Sequence, residues 1–372
     1  MKFTIQKNEI SDVMSRIQGI VGRKTSLAIT ENVLIKASED NIILSATDLE
    51  TGFEGSYAAV VEAPGVVAVN ARKFHDIVKM FPTDYINMEE LDNQWIEISS
   101  ENVEYHLVGM NPDDFPDIPK VEDVAFFTIN SESFKKMIEK AIVISVAGDE
   151  KREHMIGVSL ERISENKEQI IRMVSTDIKR LSMVDYLCDQ KSNFVQGDNI
   201  IVPKKGLAEV NKFLETEGDV DLGVKDNHFI VKNNNETIII NLLEGEFPQY
   251  HDLLKIDDSY DVEFDRDLFL MMLKRMAIIT SDEYRGVIFH LENNELMIRA
   301  TNPNVGESKE KIEIFFEREI VEAAFNPKYF IEALNYIETE KVLLNIKDNE
   351  SPCIVRGGKD AVYLNIIMPM KI

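Results

Sequence analysis

Three segments of the chain carry one pattern: a strand-like apolar run, then Asn or Pro and a basic residue, then apolar side chains at near-helical spacing. They are Val69–Phe81 (VNARKFHDIVKMF), Val202–Leu214 (VPKKGLAEVNKFL) and Phe325–Ile337 (FNPKYFIEALNYI). Each predicts a strand running into a helix. A second helical stripe also recurs: Met14, Ile17 and Val21, then Met137, Ile138, Ala141 and Ile142, then Met272, Leu273, Met276 and Ile279. Behind these helices stand Ala46-Thr47-Asp48, Ser175-Thr176-Asp177 and Ala300-Thr301-Asn302, with Thr offsets of 129 and 125 residues and helix-Met offsets of 123 and 135. Asp114-Phe115-Pro116, Glu246-Phe247-Pro248 and Ile367-Met368-Pro369 close the three units. Four markers in one order at one spacing define a threefold internal repeat.

The units run over residues 1–121, 126–250 and 260–372. In the first, Lys2–Ile5 alternates as a strand does, a helix is expected from about Ser11, as cap, to Gly22, and Asn32–Ala37 with Asn41–Thr47 reads as a hairpin. Ile86–Glu90, Trp95–Ser99 and Val103–Val108 have strand length, and Trp95 is expected in the core or at a sheet edge. Residues 112–119 (PDDFPDIP) read as a linker. The second unit repeats the plan, with Ile238–Leu243 as a buried or inter-sheet strand; in the third, Asn293-Asn294 and Gly357-Gly358 mark turns. Each unit is an α+β module of two helices and six or more short strands, its helices on one face of the sheet.

A length of 372 residues accommodates three such modules, each large enough for its own core. The start, MKFTIQKNEISD, is too often charged for a signal peptide, and no apolar run approaches the ~20 residues of a membrane span, so the expected location is cytoplasmic with no membrane partner. Cys188 and Cys353 stand far apart and suggest neither disulfide nor zinc. The net charge of −25 repels nucleic acid as a uniform field, but it is unevenly spread. Six helix-like windows (11–24, 70–80, 131–144, 203–215, 265–279 and 327–340) together carry +5, leaving −30 on the rest. Helices gathered on one surface would make that surface basic within an acidic shell.

Catalytic constellations are missing from the sequence. The six His show no i,i+4 pair and no metal-like spacing with Cys, and neither phosphate-loop, dinucleotide nor nucleophile-elbow motifs occur. Thr47-Asp48 and Thr176-Asp177 read better as turns closing strands than as acid chemistry. No cofactor and no metal is implied. Three modules in line, each turning one basic helical face the same way, suit a polyanion held by its backbone, weakly and with strong salt dependence.

The chain resembles the bacterial DNA polymerase III beta subunits, the sliding clamps, from end to end. The resemblance is carried by Met1-Lys2-Phe3-Thr4, Ala46-Thr47-Asp48-Leu49-Glu50, Asn70-Ala71-Arg72-Lys73-Phe74, Asp114-Phe115-Pro116, Thr176-Asp177 with Arg180-Leu181, Val202-Pro203-Lys204-Lys205-Gly206, Glu246-Phe247-Pro248, Tyr284-Arg285-Gly286-Val287, Asn302-Pro303 and the ending Met368-Pro369-Met370-Lys371-Ile372. It implies three similar α+β domains of the DNA clamp fold, two helices plus antiparallel sheets each, assembling head to tail as a homodimeric ring. Double-stranded DNA would pass through without sequence readout. DNA polymerase subunits, the clamp loader and other clamp-binding-motif proteins would dock outside, and no reaction would be catalysed.

By the same resemblance, the partner-peptide groove comprises Met155, Thr176, Lys179, Arg180, Leu181, Pro248, Tyr329 and the tail Ile366, Ile367, Met368, Pro369, Met370, Lys371 and Ile372. Met and aliphatic side chains suit a short peptide with apolar anchors. Read without the resemblance, Met368 and Met370 are C-terminal strand core. Ile178-Lys179 stand where the family often has Gly-His, and Asp252 where a basic residue is common. DNA contacts fall at Arg23, Lys24 and Arg152, with Lys204, Lys205 and Arg275 added from helix position. The dimer interface falls on Tyr105 and Leu107 of an edge strand, Ile278 and Ile279 of the third unit's helix, and Lys73 as an ion-pair donor. Two other readings fit parts of the pattern: an acidic repeat scaffold that binds proteins without encircling DNA, and a metal-dependent hydrolase using acidic clusters.

Overall fold

A computed structural model of the chain describes residues 1–22, 28–119, 121–144, 157–165, 168–188, 199–255, 257–281, 283, 285–359 and 361–371. The first repeat carries β1 (Lys2–Gln6), α1 (Lys7–Arg16), β2 (Asn32–Ser38), β3 (Asn41–Thr47), β4 (Thr51–Ala58), β5 (Val60–Ala63), β6 (Gly65–Asn70), α2 (Ala71–Met80), β7 (Tyr85–Glu90), β8 (Trp95–Ser100) and β9 (Val103–Val108). The second carries β10 (Phe126–Asn130), α3 (Ser131–Ala141), β11 (Gly157–Glu165), β12 (Glu168–Thr176), β13 (Arg180–Cys188), β14 (Ile200–Pro203), α4 (Lys204–Phe213), β15 (Asp219–Lys225), β16 (His228–Asn233) and β17 (Glu236–Asn241). The third carries β18 (Asp261–Asp265), α5 (Arg266–Ala277), β19 (Val287–Glu292), β20 (Glu295–Asn302), β21 (Gly306–Glu313), β22 (Val321–Phe325), α6 (Pro327–Asn335), β23 (Lys341–Asn345), β24 (Cys353–Arg356) and β25 (Tyr363–Ile367).

Every α-helix follows a strand with at most one residue between them, and four are capped by the side chain at that junction. Asn70, Asn130, Asp265 and Asn326 accept from the N–H groups of Lys73, Ser133, Leu268 and Lys328. The expectation that Ser11 caps the first helix is not met: α1 begins at Lys7. There the N–H of Lys7 reaches the Asp84 carbonyl at 2.7 Å, so a tertiary partner satisfies a donor that a cap would otherwise take. Trp95 is 44% exposed and in neither expected place. Its strand β8 lies inside the sheet, and strand alternation sends Ile96 and Ile98 inward and Trp95 out.

The strands form four sheets, ordered β5-β1-β7-β8-β9, β10-β15-β16-β17-β4-β3-β2-β6, β14-β11-β12-β13-β25-β24-β23-β18 and β21-β20-β19-β22. Reduced to repeats, one rule governs them. The strand that follows the Thr-Asp turn in one repeat pairs with the last strand of the next. Thus β4 pairs with β17, Thr51 facing Ile240, and β13 pairs with β25, Arg180 facing Ile367. Main-chain contacts therefore cut across the repeats into two compact units. One comprises the described residues of 1–135 and 202–243, the other those of 136–191, 199–201 and 244–372. Each has its own apolar core: Phe3, Phe53, Phe81 and Phe229 are fully buried in the first, and Phe269, Phe289, Phe325 and Phe330 form a ring cluster in the second with centroids 5.2 to 6.3 Å apart. No helix among the described residues is long and apolar enough to cross a membrane.

Candidate partner groove and DNA-facing surface

The groove is organised by the turn between β12 and β13. Thr176 accepts the Ile178 N–H at 3.1 Å and donates its hydroxyl to the Arg180 carbonyl at 2.7 Å. Asp177 Oδ1 accepts the N–H groups of Lys179 and Arg180, each at 3.0 Å. These bonds turn Lys179 outward and direct Arg180 inward. The Arg180 side chain is 8% exposed; its Nε donates to Asp177 Oδ2 at 3.1 Å, Nη1 donates to Glu332, and the guanidinium lies 4.3 Å from the centroid of the Tyr329 ring. A desolvated guanidinium held by two carboxylates and a ring face is fixed in place.

Against this corner the chain lays its last strand. Leu181 pairs with Ile366 beside the Arg180–Ile367 pair, the Met368 N–H donates to the Lys179 carbonyl at 2.9 Å, and the Met370 N–H donates to Ala324 at 2.7 Å. Leu181, Ile366 and Ile367 are buried and support the floor. Pro248, Tyr329, Met368 and Pro369 are half-buried, while Met370, Lys179 and Lys371 are exposed. The structure thus brings Thr176, Lys179, Arg180, Leu181, Tyr329 and Ile366 to Met370 into one corner. Met155 and Ile372 lie outside the described residues. The sequence reading missed Asp177 and Glu332, which hold Arg180; the Thr-Asp motif signalled the first, and nothing local signals the second. Thioether and aromatic surface with lysines at its margin offers an adaptable seat for an apolar peptide.

The charged helix positions are less available than their formal charge suggests. Lys205, the second residue of α4, donates its ammonium to the Asp48 carboxylate, with Glu50 at 3.9 Å. Burial opposes the charge on Lys205, yet the bond and attraction to Asp48 outweigh it, and the ammonium titrates above the ordinary lysine range. Arg275 Nε donates to Glu310 at 2.9 Å, and Nη2 donates to the same carboxylate. Lys204 is exposed to an intermediate degree at the start of α4; Arg23, Lys24 and Arg152 lie outside the described residues. One group of three possible metal ligands, Glu97, Glu104 and His106, comes together among the described residues; the Glu104 and His106 side chains are exposed, and His106 lies 3.4 Å from Glu104 and 3.8 Å from Glu97.

Of the eight strands that end the four sheets, β9 ends the five-stranded sheet and β21 ends the four-stranded one. On β9, Tyr105 is 42% exposed, stacks at a tilt on Phe81 with centroids 5.8 Å apart, and is followed by half-buried Leu107. Ile278, just past α5, is 75% exposed and Ile279 half-buried; Lys73 is exposed on α2.

A threefold repeated α+β fold with continuous sheets at its repeat junctions defines the class of DNA clamps. Family models of the DNA polymerase III beta subunit match the whole length in order: the N-terminal domain at residues 1–119, the central domain at 128–249 and the C-terminal domain at 254–371. The chain belongs to the DNA polymerase III beta subunit family. It is 29% identical over 378 residues to a beta sliding clamp of Pseudomonas putida, covering 100% of both chains, and 26% identical to that of Chlamydia pneumoniae, covering 100% of this chain and 99% of the relative. Among solved structures, the DNA polymerase III subunit beta of Pseudomonas aeruginosa superposes with a TM-score of 0.91 at 27% identity, and a beta subunit from Eubacterium rectale with 0.92 at 26%, each covering both chains fully. The protein is therefore a sliding clamp acting in DNA replication, a processivity factor that catalyses no reaction; the acidic-scaffold and hydrolase readings fall away.

Proposed function

We propose that the chain closes with a second copy, head to tail, into a ring around duplex DNA, and that the C-terminal groove tethers DNA polymerase subunits, the clamp loader and other proteins bearing a clamp-binding peptide. The observation that carries the ring is the strand-pairing rule. At two junctions the strand after the Thr-turn joins the last strand of the next repeat, and among the described residues β21 and β9 lack that partner. Supplying β21 of one copy to β9 of the other extends the same rule, buries two open edges and makes a heterologous contact that closes. Tyr105, Leu107, Ile278 and Ile279 would form its apolar part and Lys73 an ion pair beside it.

In this reading residues 1–121, 126–250 and 260–372 act as three domains. Arg23, Lys24, Arg152, Lys204, Lys205 and Arg275 face the phosphates, and the ring works in the cytoplasm. Retention comes from enclosure, since backbone contacts carry no sequence information and weaken with salt. The test is retention on nicked circular DNA before and after linearisation, with mass in solution alongside. A ring of two copies weighs about 85 kDa, twice 42.5 kDa, stays on the circle and leaves the linear molecule; equal retention on both would refute enclosure. Introducing charge with Ile278→Asp and Ile279→Asp should yield monomers, because it buries ions at an apolar contact. Deleting Met368 to Ile372 should abolish peptide binding while leaving the dimer intact.

A further inference from the structure

We propose that Asp48 is an internal competitor for phosphate: a positioning residue that holds Lys205 away from DNA and so keeps the clamp's grip on the duplex weak. This rests on the reading above that Lys205 faces DNA. Asp48 is a built acceptor. Its side chain is 6% exposed, Oδ1 accepts the N–H groups of Glu50 at 3.1 Å and Thr51 at 2.7 Å, and Oδ2 faces the Lys205 ammonium. Two fixed backbone donors keep the carboxylate in place whether or not the lysine stays. Next to it the arrangement recurs: Glu209, its side chain 9% exposed, accepts from Lys212 at 2.6 Å, and a Cβ added at Gly19 would lie 2.2 Å from that carboxylate. Asp48, Glu50, Glu209, Lys205 and Lys212 line one open cavity of about 570 Å³.

For Lys205 to reach a phosphate it must leave Asp48 behind as a buried, unpaired carboxylate, which is costly. The lysine therefore exchanges one anion for another at little gain and makes no lasting phosphate contact. An ammonium poised this way yields as easily to the next phosphate as to the last, which suits movement along DNA.

Asp48→Asn keeps the Oδ1 acceptor for the turn and removes the competing charge. The assay is fluorescence anisotropy of the intact protein with a 30-bp duplex at 50 and 200 mM salt, with thermal unfolding to verify the fold. One added phosphate contact steepens the salt dependence by about 0.9 in log–log slope, so the loss of affinity across that salt range grows about 3.5-fold. Asp48→Asn is expected to bind more tightly at 50 mM with this steeper slope, Lys205→Gln to bind no more tightly than the wild type, and the double variant to match Lys205→Gln alone. An Asp48→Asn slope equal to wild type, while Lys205→Gln lowers the wild-type slope, overturns the competition and leaves the DNA-facing reading intact. A double variant as tight as Asp48→Asn overturns both, because the added affinity would not pass through Lys205.

Discussion

The sheet that joins the first two repeats should depend on a single ion pair. Arg16, at the end of α1, donates from Nη1 to Glu236 Oε2 at 2.7 Å and from Nη2 to Oε1 at 2.5 Å, while the Tyr57 hydroxyl donates to Oε1 at 2.7 Å. The Glu236 side chain is 8% exposed and that of Arg16 30%, and the guanidinium lies 4.5 Å from the Phe213 ring centroid. Replacing Arg16 with Met keeps much of the stem and leaves the carboxylate with only a phenol. Breaking a fully buried pair costs about 3–5 kcal/mol; the partial exposure of Arg16 lowers the expectation to about 2.5 kcal/mol. For a unit of this size, with a urea dependence near 3 kcal/mol/M, the midpoint should fall by about 0.8 M. In Arg16→Met/Glu236→Leu no charge is left behind, so the double variant should recover at least about 1.5 kcal/mol relative to the sum of the singles. Circular dichroism in urea measures all three. A midpoint for Arg16→Met within 0.2 M of wild type, or strictly additive singles, would refute the pair's role as fastener.

Ile178 holds φ at +73°, a region costing a β-branched residue about 1–2 kcal/mol, and its side chain is 61% exposed, so Ile178→Gly should stabilise the protein by about 1 kcal/mol after the entropy of the freer chain is deducted; an unchanged or lower Tm in calorimetry counts against this. Burial pushes the Cys353 thiol well up, so with Ellman's reagent at pH 8 it should react only in denaturant, whereas half-buried Cys188 reacts in the native protein; two thiols titrating together would contradict the buried placement. Burial, then hydrogen bonding and attraction to Glu236 or Glu161, also raises the phenols of Tyr57 and Tyr250, and burial raises Tyr363 to about 12. These raised values favour the fold fully below the ordinary tyrosine pKa of about 10, and the contribution is lost as pH rises above it because the unfolded phenols ionise first. Each costs about 1.4 kcal/mol per pH unit there, and Tyr250→Phe should flatten the decline seen in urea unfolding between pH 10 and 11.5.

What the sequence made legible was periodicity. Hydrophobic spacing and the repeated Thr-Asp turn located strand, helix and turn because those signals are local; of the two readings of Ile238–Leu243, buried or inter-sheet, the structure shows the first, with Ile238, Ile239 and Ile240 buried in β17 inside one sheet beside β4. Less legible was whatever depends on a distant partner. The start of α1 follows the Asp84 carbonyl, 77 residues further along the chain, and no cap residue announces it. Charge counting by helix failed in the same way. Formal charge registers Lys205, Lys212 and Arg275 as surplus cations, but Asp48, Glu209 and Glu310, two of them from other elements, already face them.

The groove shows why a repeat that is plain in sequence can hide a site that is not. The two junctions are built alike, and equivalent positions can be compared. Thr51 in the first corresponds to Arg180 in the second, each three residues after the turn Asp; Gly206 corresponds to Tyr329, each the fifth residue of its strand-to-helix phrase; Glu209 corresponds to Glu332. At the first junction no side chain fits at Gly206, since a Cβ there would lie 2.7 Å from Ile240, and Glu209 takes its own helix's Lys212. At the second, the ring of Tyr329 carries the guanidinium of Arg180, and Glu332 turns from its helix to hold it. Two substitutions against the repeat, a ring for a glycine and a guanidinium for a hydroxyl, therefore convert a closed seam into a corner with apolar and aromatic surface left open. The last residues of the chain then cover the seam only in part, leaving Met370 38% exposed at its edge. In the proposed reading the groove is a departure within a duplication: the copies agree on the main-chain ladder, and the difference between them is the surface offered to a partner.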